Sequence, residues 1–493
     1  MSDPSLVAQA PNAFPYGTVG VFLVTTFIAC VLIDRMLSSS INKIPGPWYL
    51  KLSTVPLKWH DARGQTRLWV HDLHMRYGPV VAIAPSYVHF ATAAAAKIIY
   101  TNGGKDFLKT ELYDVFRQEG HENLFTAIEP KKHAMIRRGL ADRYSNSNIL
   151  ASKVIESINE RADTFVQACT RTPSVDIYFY LHAYALDCVT SILFHPHGTR
   201  SLDQTDDKRI IQYMSYREGG HGQFHSWILE HYLPVLSKVR AYLNPEADSD
   251  VTADKLIRDY VREMIDRDDL SDFTVATRIA SLKSFDKELA VAECLDHLGA
   301  GLETTGDTLC WLIWELSQPR NAERMDKLHT ELKDVPANAP LDKLPYLELV
   351  IQEALRLYAP GTQSLPRYVP SGGREIEGYF IPAHTTVACQ SFTMHREPQS
   401  FPDAESFLPE RWSDTNGNVE RQRLNMSFGL GARSCIGRYL ALAEMRSLLH
   451  AVYSKYRTSP ATDMTASMHF ADTVLTSYPK DKLCKISFTL YDE

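Results

Sequence analysis

Residues 428–437 read FGLGARSCIG and place two glycines, Gly429 and Gly431, ahead of a single cysteine, Cys435. Glycine adopts positive φ without strain, so this segment can turn sharply and approach a flat ligand closely. Apolar spacing indicates a helix over residues 438–456, directly after the cysteine. The free N–H groups and positive dipole end of that helix favour a thiolate, the form of cysteine that binds metal.

The surroundings of Cys435 favour a haem iron as that metal. A thiolate on haem iron donates electron density that favours O–O cleavage. Arg433, two residues before the cysteine, carries the charge needed to pair with a haem propionate.

The composition is that of a globular protein and excludes several classes of function. The chain has 493 residues, of which 44% are hydrophobic and 23% charged, and its formal net charge is −7. Mild acidity without a basic block argues against a nucleic-acid partner. No two of the eight cysteines lie within four residues of each other, which excludes zinc ribbons, iron–sulfur runs and redox CxxC pairs. Apart from Cys435, we expect free and mostly buried thiols.

The N-terminal 44 residues are predicted to form a membrane anchor and a hinge. The uncharged run Tyr16–Ile33 spans ~27 Å as a helix, close to the ~30 Å hydrocarbon core of a bilayer. No Lys or Arg precedes the run, which argues against a cleaved signal peptide, and Lys43 and Lys51 follow it. This charge distribution predicts a single-pass protein whose remaining residues lie in the cytosol. A cleaved signal peptide and a buried core helix are the alternatives.

Beyond residue 44 helical patterns dominate and no internal repeat is visible. Helices are predicted at 154–169, 253–264, 288–317, 321–332, 346–358 and 438–456, and short strands at 80–84, 88–91, 374–381, 386–389 and 485–490. Residues 360–435 are rich in proline and predicted to be mostly irregular. A stretch of this length is uncommon in a compact domain unless it is functional.

The segment around Cys435 resembles the fingerprint FxxGxRxCxG of the cytochrome P450 family of haem-thiolate monooxygenases. Phe428, Gly431, Arg433, Cys435 and Gly437 fill its fixed positions. The resemblance implies a mainly α P450 fold with small β-sheets over residues 45–493, preceded by the transmembrane helix. It also implies haem b (iron protoporphyrin IX) as the cofactor, with Cys435 as the axial iron ligand.

A second resemblance concerns a structural triad. Glu353 and Arg356 are spaced i,i+3 and share one helix face, and Pro-Glu-Arg-Trp follows at residues 409–412. Such a pair alone is usually a solvated surface ion pair. In the family the corresponding residues form a buried triad behind the haem-binding loop, which here implies Glu353, Arg356 and Arg411.

A third resemblance lies inside the predicted long helix, at AGLETT over residues 300–305. In the family this pattern crosses the distal face of the haem, which implies that Ala300 and Gly301 lie against the cofactor and that the glycine lets dioxygen and substrate approach the backbone. Thr304 would hydrogen-bond the oxygen and Glu303 would help to deliver protons through water. Close helix packing is the alternative explanation of glycines in mid-helix.

The remaining haem contacts are expected at the propionates. His133 and Arg137 are spaced i,i+4 at a position where the family often has Trp-x-x-x-Arg, so both could reach one propionate. A surface histidine is the alternative for His133. Arg367 occupies another position from which the family commonly contacts a propionate.

These resemblances imply a monooxygenase that acts on a small organic substrate and O2. The chain has no GxGxxG at a strand–helix junction and no flavin or iron–sulfur module, so electrons would come from a separate NADPH-dependent flavoprotein reductase. The anchor and the Pro-Gly-Pro hinge at 45–47 resemble endoplasmic-reticulum members, and residues 365–370 and 394–412 resemble fungal members of secondary metabolism. Two alternatives stay open: a reductase-independent haem-thiolate isomerase or dehydratase, and a non-enzymatic haem-binding protein. NADPH oxidation with a reductase, with and without substrate, would separate the three.

The substrate pocket is expected to be largely apolar. By family position it is built from Phe107–Phe125, Tyr213–Leu236, Thr362–Leu365 and roughly Phe470–Leu475, which are rich in Phe, Tyr, Leu and Val and hold few charges. Such a pocket suits a terpenoid, polyketide or amino-acid-derived metabolite that partitions into the membrane. The alternative is that these aromatic residues belong to the core.

Overall fold

The structure of the chain is a computed structural model. The structure describes residues 20, 21, 23–27, 31, 40–101, 107–204, 207–216, 234–243, 251–336, 339–414 and 417–491.

Helices dominate the described residues, as the sequence predicts. The α-helices are α1 Val55–Ala62, α2 Thr66–Tyr77, α3 Ala93–Tyr100, α4 Pro130–Leu140, α5 Asn146–Ile149, α6 Ser152–Cys169, α7 Ile177–Phe194, α8 Lys208–Ser215, α9 Pro234–Leu243, α10 Val251–Ile265, α11 Val275–Ala280, α12 Lys287–Leu316, α13 Ala322–Leu332, α14 Pro345–Tyr358, α15 Ser391–Met394, α16 Asn418–Leu424 and α17 Arg438–Tyr453. Short 3₁₀ turns include Glu111–Phe116, Pro409–Trp412 and Gly431–Arg433.

The strands form small sheets at the edge of the helical body. They are β1 Val80–Ala84, β2 Tyr87–Phe90, β3 Leu108–Lys109, β4 Val175–Asp176, β5 Arg367–Tyr368, β6 Arg374–Ile376, β7 Tyr379–Ile381, β8 Thr386–Cys389, β9 Tyr456–Pro460, β10 Phe470–Asp472, β11 Ser477–Pro479 and β12 Lys485–Leu490. The largest sheet has the order β1-β2-β8-β5-β3, and only its β2–β8 pairing is parallel. A second sheet has the order β4-β12-β9, and β6–β7 and β10–β11 are two-stranded. The segment 360–435 contains four short strands, of which β6, β7 and β8 lie where strands were predicted and β5 was not predicted; most of its described residues are irregular, as predicted.

The centre of the molecule is the pair of helices α7 and α12, which pack along each other. Helix α12 is preceded by Asp286, whose carboxylate accepts a hydrogen bond from the N–H of Leu289 and so caps the first turn. Helix α7 has buried residues on every face, with 16 of its 18 positions among the buried ones. A helix that is apolar on all faces belongs in a protein core. Here α12 packs along α7.

The predicted membrane anchor falls mostly outside the described residues. The described part of it, residues 20, 21, 23–27 and 31, is helical, and Val21, Leu23 and Phe27 are exposed. Within the described chain, one helix is long and apolar enough to cross a membrane, and that helix is α7. Because 89% of α7 is buried inside the protein, we interpret it as a core helix.

Candidate haem site

The loop that carries Cys435 is closed by its own backbone and fixed against α3. The N–H of Cys435 donates to the carbonyl oxygen of Phe428 at 2.8 Å. Gly429 and Gly431 adopt φ of +66° and +69°, as the sequence predicted for turns of this kind. A Cβ on Gly431 would lie 2.1 Å from the carbonyl oxygen of Tyr100, so a side chain at this position would displace the loop.

Cys435 differs from the other described cysteines because its side chain is open to solvent. The other six (Cys169, Cys188, Cys294, Cys310, Cys389 and Cys484) are free and buried. Surrounding protein atoms raise the pKa of the Cys435 thiol, while the N–H groups of Gly437 and Arg438 and the guanidinium of Arg137 act in the opposite direction. Helix α17 starts at Arg438. The sulfur is therefore accessible at a helix N-terminus and has donors that stabilise a thiolate.

Beside the loop lies a cluster of cations without anionic partners, which we call the cationic cluster: Lys109, Arg137, Arg367 and Arg433. Among the described residues, none of the four has a carboxylate within ion-pair distance. Arg433 donates to the carbonyl oxygens of Ala127 and Ile128 at 2.6 and 2.8 Å, and Arg137 donates to that of Ser434 at 2.7 Å. The charge of Asp296 acts on Lys109 from beyond ion-pair distance, so the cluster carries more positive charge than the described residues around it balance.

The most revealing members of the cationic cluster are Lys109 and Arg367. They are direct cross-strand partners in β3 and β5, and both are buried. Like charges directly opposite each other destabilise a sheet. Burial lowers the pKa of Lys109 well below its ordinary value, the charges of Arg367 and Arg433 lower it further, and the charge of Asp296 acts in the opposite direction. A bound anion would reverse this unfavourable balance, which makes the cluster a binding site for a group with at least one negative charge.

His133 lies in the same place and is buried, so the alternative of a surface histidine is wrong. Burial, together with the charges of Arg433, Lys109, Arg137 and Arg367, lowers its pKa to about 3. The imidazole is therefore neutral at pH 7, where it can donate a single N–H to an anion beside Arg137.

Ala300 and Gly301 of α12, which share one predicted role, have different surroundings in the structure. Ala300 is exposed in the middle of the helix, which leaves open space beside it. Gly301 packs closely against α7, because a Cβ on it would lie 2.7 Å from Cγ2 of Val189 in that helix. Close packing of α12 on α7, the alternative explanation, therefore accounts for this glycine, and approach of dioxygen and substrate to the backbone here stays a prediction.

Thr304 and Glu303 provide the polar groups on this part of α12. The Thr304 hydroxyl donates to the carbonyl oxygen of Ala300 at 2.7 Å, so its lone pairs remain able to accept a proton. Burial raises the pKa of Glu303 to about 7, with a further contribution from the charge of Asp307. At neutral pH Glu303 is thus poised to give up or take up a proton.

Comparison with known proteins places this site in a family. The cytochrome P450 family model matches residues 45–485. The chain belongs to the cytochrome P450 family. It is similar to the cytochrome P450 monooxygenases orf2 of Aspergillus niger (29% identical, 87% of this chain and 89% of the relative) and stcB of Emericella nidulans (27%, 91% and 89%). It is also similar to pisatin demethylase of Fusarium vanettenii (28%, 83% of each chain). It is an enzyme of the monooxygenase class.

The prosthetic group of the P450 family is haem, and the residues described above fit it. A haem presents one metal and two carboxylates on one edge, which require a thiolate and a set of cations. Cys435 would hold the iron, and the cationic cluster with His133 would hold the propionates. Lys109 is the member that sequence reasoning missed, because β3 is a two-residue strand whose pairing with Arg367 cannot be read from local pattern.

The P450 also has the expected triad, and it is buried. Arg356 donates to both carboxylate oxygens of Glu353, at 2.9 and 2.7 Å, and Arg411 donates to Oε1 at 3.0 Å. The N–H of Leu408 and the indole of Trp412 complete the shell, each at 2.9 Å. The carboxylate thereby ties α14 to the segment that leads to the haem-binding loop.

We expect the substitution Lys109→Met to change the haem-free and haem-bound proteins in opposite directions. Loss of the buried charge relieves repulsion with Arg367 and raises the free energy of unfolding of the haem-free P450 by about 1 kcal/mol. The same change removes a charge-assisted contact to the propionates and weakens haem binding about tenfold. Haem titration and denaturant unfolding of the haem-free protein measure the two effects. Lys97→Met, on exposed Lys97 of α3, should change neither, and a fall in both quantities at Lys109 would contradict the prediction.

Proposed function

We propose that this P450 inserts one oxygen atom from O2 into a small organic substrate, taking electrons from a separate NADPH-dependent reductase. The observation that carries the proposal is the open Cys435 thiol at a helix N-terminus beside the cationic cluster. A thiolate-bound haem supplies activation of O2 for oxygen transfer. The similar fungal monooxygenases support a role in secondary-metabolite biosynthesis.

The residues of the chain have separate tasks in this reaction. Monooxygenation of a C–H bond consumes O2, two electrons and two protons and yields an alcohol and water. Glu303, whose pKa is raised to about 7, can release a proton toward the Thr304 hydroxyl at neutral pH. Thr304 donates its single hydrogen to the carbonyl oxygen of Ala300, which leaves its lone pairs able to accept from Glu303. To pass a proton on, the hydroxyl turns its own hydrogen away from Ala300 and takes the hydrogen from Glu303 in its place.

The substrate is proposed to be largely apolar but with hydrogen-bonding groups. A cavity of about 180 Å³ is lined by residues of three of the expected pocket segments, including Leu112, Ser364 and Val474. No described residue of α12 or of the Cys435 loop lines it, so we propose that it receives the part of the substrate remote from the reacting atoms. The cavity also meets the carboxylates of Asp61 and Glu111, so its wall is more polar than we expected. This lining supports a partly oxygenated terpenoid, polyketide or amino-acid-derived metabolite. Residues 217–233 of the fourth segment lie outside the described residues.

The experiment that tests the function uses the haem-loaded protein with a generic NADPH-dependent P450 reductase. We expect candidate metabolites to perturb the haem absorption spectrum, and those that bind to be oxidised with matching consumption of NADPH. Product formation without NADPH would favour an isomerase or dehydratase. Binding without turnover under reducing conditions would contradict the proposal. A charged, water-soluble compound as the sole ligand would refute the substrate class alone.

We expect Thr304→Ala to retain haem and substrate but to lose coupling. Without the Thr304 hydroxyl, protons from Glu303 reach O2 by a less direct route. The electrons from NADPH then reduce O2 to peroxide instead of forming product. The product formed per NADPH should fall about tenfold or more. The control is Thr330→Ala, on an exposed helical threonine that makes the same kind of bond, to the carbonyl oxygen of Asp326. Unchanged coupling in Thr304→Ala would contradict the role.

The chain is further proposed to be anchored to the endoplasmic-reticulum membrane by residues 16–33, with the haem domain in the cytosol. The exposed apolar side chains of Val21, Leu23 and Phe27 support this proposal. Deletion of residues 1–39 should release most of the protein from membranes and leave the haem spectrum unchanged. Fractionation and spectroscopy measure both, and loss of haem on truncation would show that the segment belongs to the fold.

A further inference from the structure

A buried acid–imidazole pair lies beside the catalytic part of α12. His182 of α7 and Asp307 of α12 are both buried, with 3.4 Å between Nε2 and Oδ1. Gly306 makes this approach possible, because a Cβ on it would lie 2.9 Å from the His182 ring. Gly306 thus allows an imidazole to pack against Asp307, one turn beyond Glu303.

The hydrogen-bond geometry fixes how many protons the pair holds. Nδ1 of His182 lies 2.7 Å from the carbonyl oxygen of Tyr178, which can only accept, so Nδ1 carries a hydrogen. In a neutral ring Nε2 is then an acceptor, and it faces a carboxylate oxygen that is also an acceptor. Neither atom has another hydrogen-bond partner among the residues that the structure describes. Two buried acceptors in this position require one proton between them, carried either by the imidazole or by the carboxyl group.

The pair lies within electrostatic reach of Glu303. Glu303 and Asp307 are spaced i,i+4 and share one face of α12. Burial raises the pKa of Asp307, while His182, Lys482 and the Tyr178 hydroxyl oppose that rise. The charge of Asp307 in turn contributes to the raised pKa of Glu303. The other titratable groups that face the pair are Tyr178 and Asp176 near the start of α7, Cys310 on α12, Tyr216 after α8, and Lys482 in the turn after β11.

We propose that His182 and Asp307 hold one proton in common and are positioning residues that resupply Glu303. When Glu303 releases its proton toward Thr304, the shared proton moves to the Glu303 carboxylate. The pair is left with one negative charge and recovers its proton from solvent water, so only O–H and N–H bonds break and form. The proposal rests on the proposed monooxygenase function, because that reaction consumes the protons.

A measurement independent of turnover tests the shared proton. In the resting holoenzyme labelled with ¹⁵N-histidine and ¹³C-aspartate, we expect one of two signals at pH 7–8. One is a doubly protonated imidazole from His182, and the other is an infrared band of a protonated carboxyl from Asp307. The signal should be assigned by its loss in His182→Gln or Asp307→Asn. A singly protonated His182 beside an ionised Asp307 would overturn the proposal, whatever reaction the enzyme catalyses.

The dependence of coupling on pH tests the resupply of Glu303. Above pH 8, where Glu303 is ionised at rest, His182→Gln and Asp307→Asn should lower the product formed per NADPH about tenfold. Below pH 6 Glu303 carries its own proton, and the variants should match the wild type. A matched control is His197→Gln, since His197 forms an exposed pair with Asp269 at 2.8 Å. An equal loss at both pH values would assign the pair a structural role only and would overturn the proposal. Absence of turnover in the wild type would refute the proposed function while leaving the spectroscopic result in place.

Discussion

Replacement of Cys435 by serine is expected to abolish monooxygenase activity and to remove the red-shifted Soret band of the reduced carbon monoxide complex. A serine hydroxyl stays protonated at neutral pH, even at a helix N-terminus, and cannot donate electron density as a thiolate does. The cationic cluster remains intact in this variant, so some haem should still bind. The absorption spectrum of the reduced complex and an oxidation assay measure the two losses.

The buried cysteines of α12 provide the matched controls. Cys294→Ser and Cys310→Ser change thiols that are fully buried away from the open face of the helix. Both variants should keep the Soret band of the wild type, although a buried hydroxyl will cost some stability. Retention of the band in Cys435→Ser, or its loss in both controls, would contradict the assignment of the iron ligand.

Glu353→Ala is expected to be the most destabilising single substitution that we consider. The carboxylate accepts bonds from Arg356, Arg411, Leu408 and Trp412, and Arg356 has almost no exposure. Removing it leaves buried guanidinium charge without a counter-ion, which costs about 3–5 kcal/mol in comparable sites. Denaturant unfolding of the haem-loaded protein, followed by circular dichroism, measures the loss.

A surface pair shows what the same substitution costs where water screens the charges. Glu420 and Arg423 also form an i,i+3 pair, but both side chains are largely exposed and lie 3.4 Å apart. Glu420→Ala should change the free energy of unfolding by no more than about 1 kcal/mol. Similar effects of the two substitutions would mean that the triad contributes no more than a surface ion pair.

The amphipathic helices were predictable because one face of each is buried and the other is not. The six predicted helices all exist, and most of their ends differ by one or two residues; the largest difference is at α17, which ends at Tyr453 because β9 begins at Tyr456. Helix α7 was missed for the opposite reason. It is buried on every face, so it has no apolar stripe at a spacing of three and four residues that would identify it.

The candidate site was predictable where function depends on neighbouring residues in the chain. The loop at 428–437 and the Glu353–Arg356 pair are local patterns, so their residues could be named from sequence. The roles of Gly301 and Gly306 could not, because they depend on Val189 and His182 of a helix more than a hundred residues earlier. Lys109 was invisible for the same reason, since its significance comes from the strand across from it.

The burial of α7 on every face also has a consequence for the synthesis of the protein on the ribosome. Its main partner, α12, ends at Leu316, so more than a hundred further residues must leave the ribosome before α7 can be covered. At 5–20 residues per second that interval lasts about ten seconds. During this interval α7, which has the hydropathy of a membrane-spanning helix, is not covered by α12. It can therefore aggregate or be inserted into a membrane. Helix α7 therefore stays without its main partner midway through translation, before Cys435 is made.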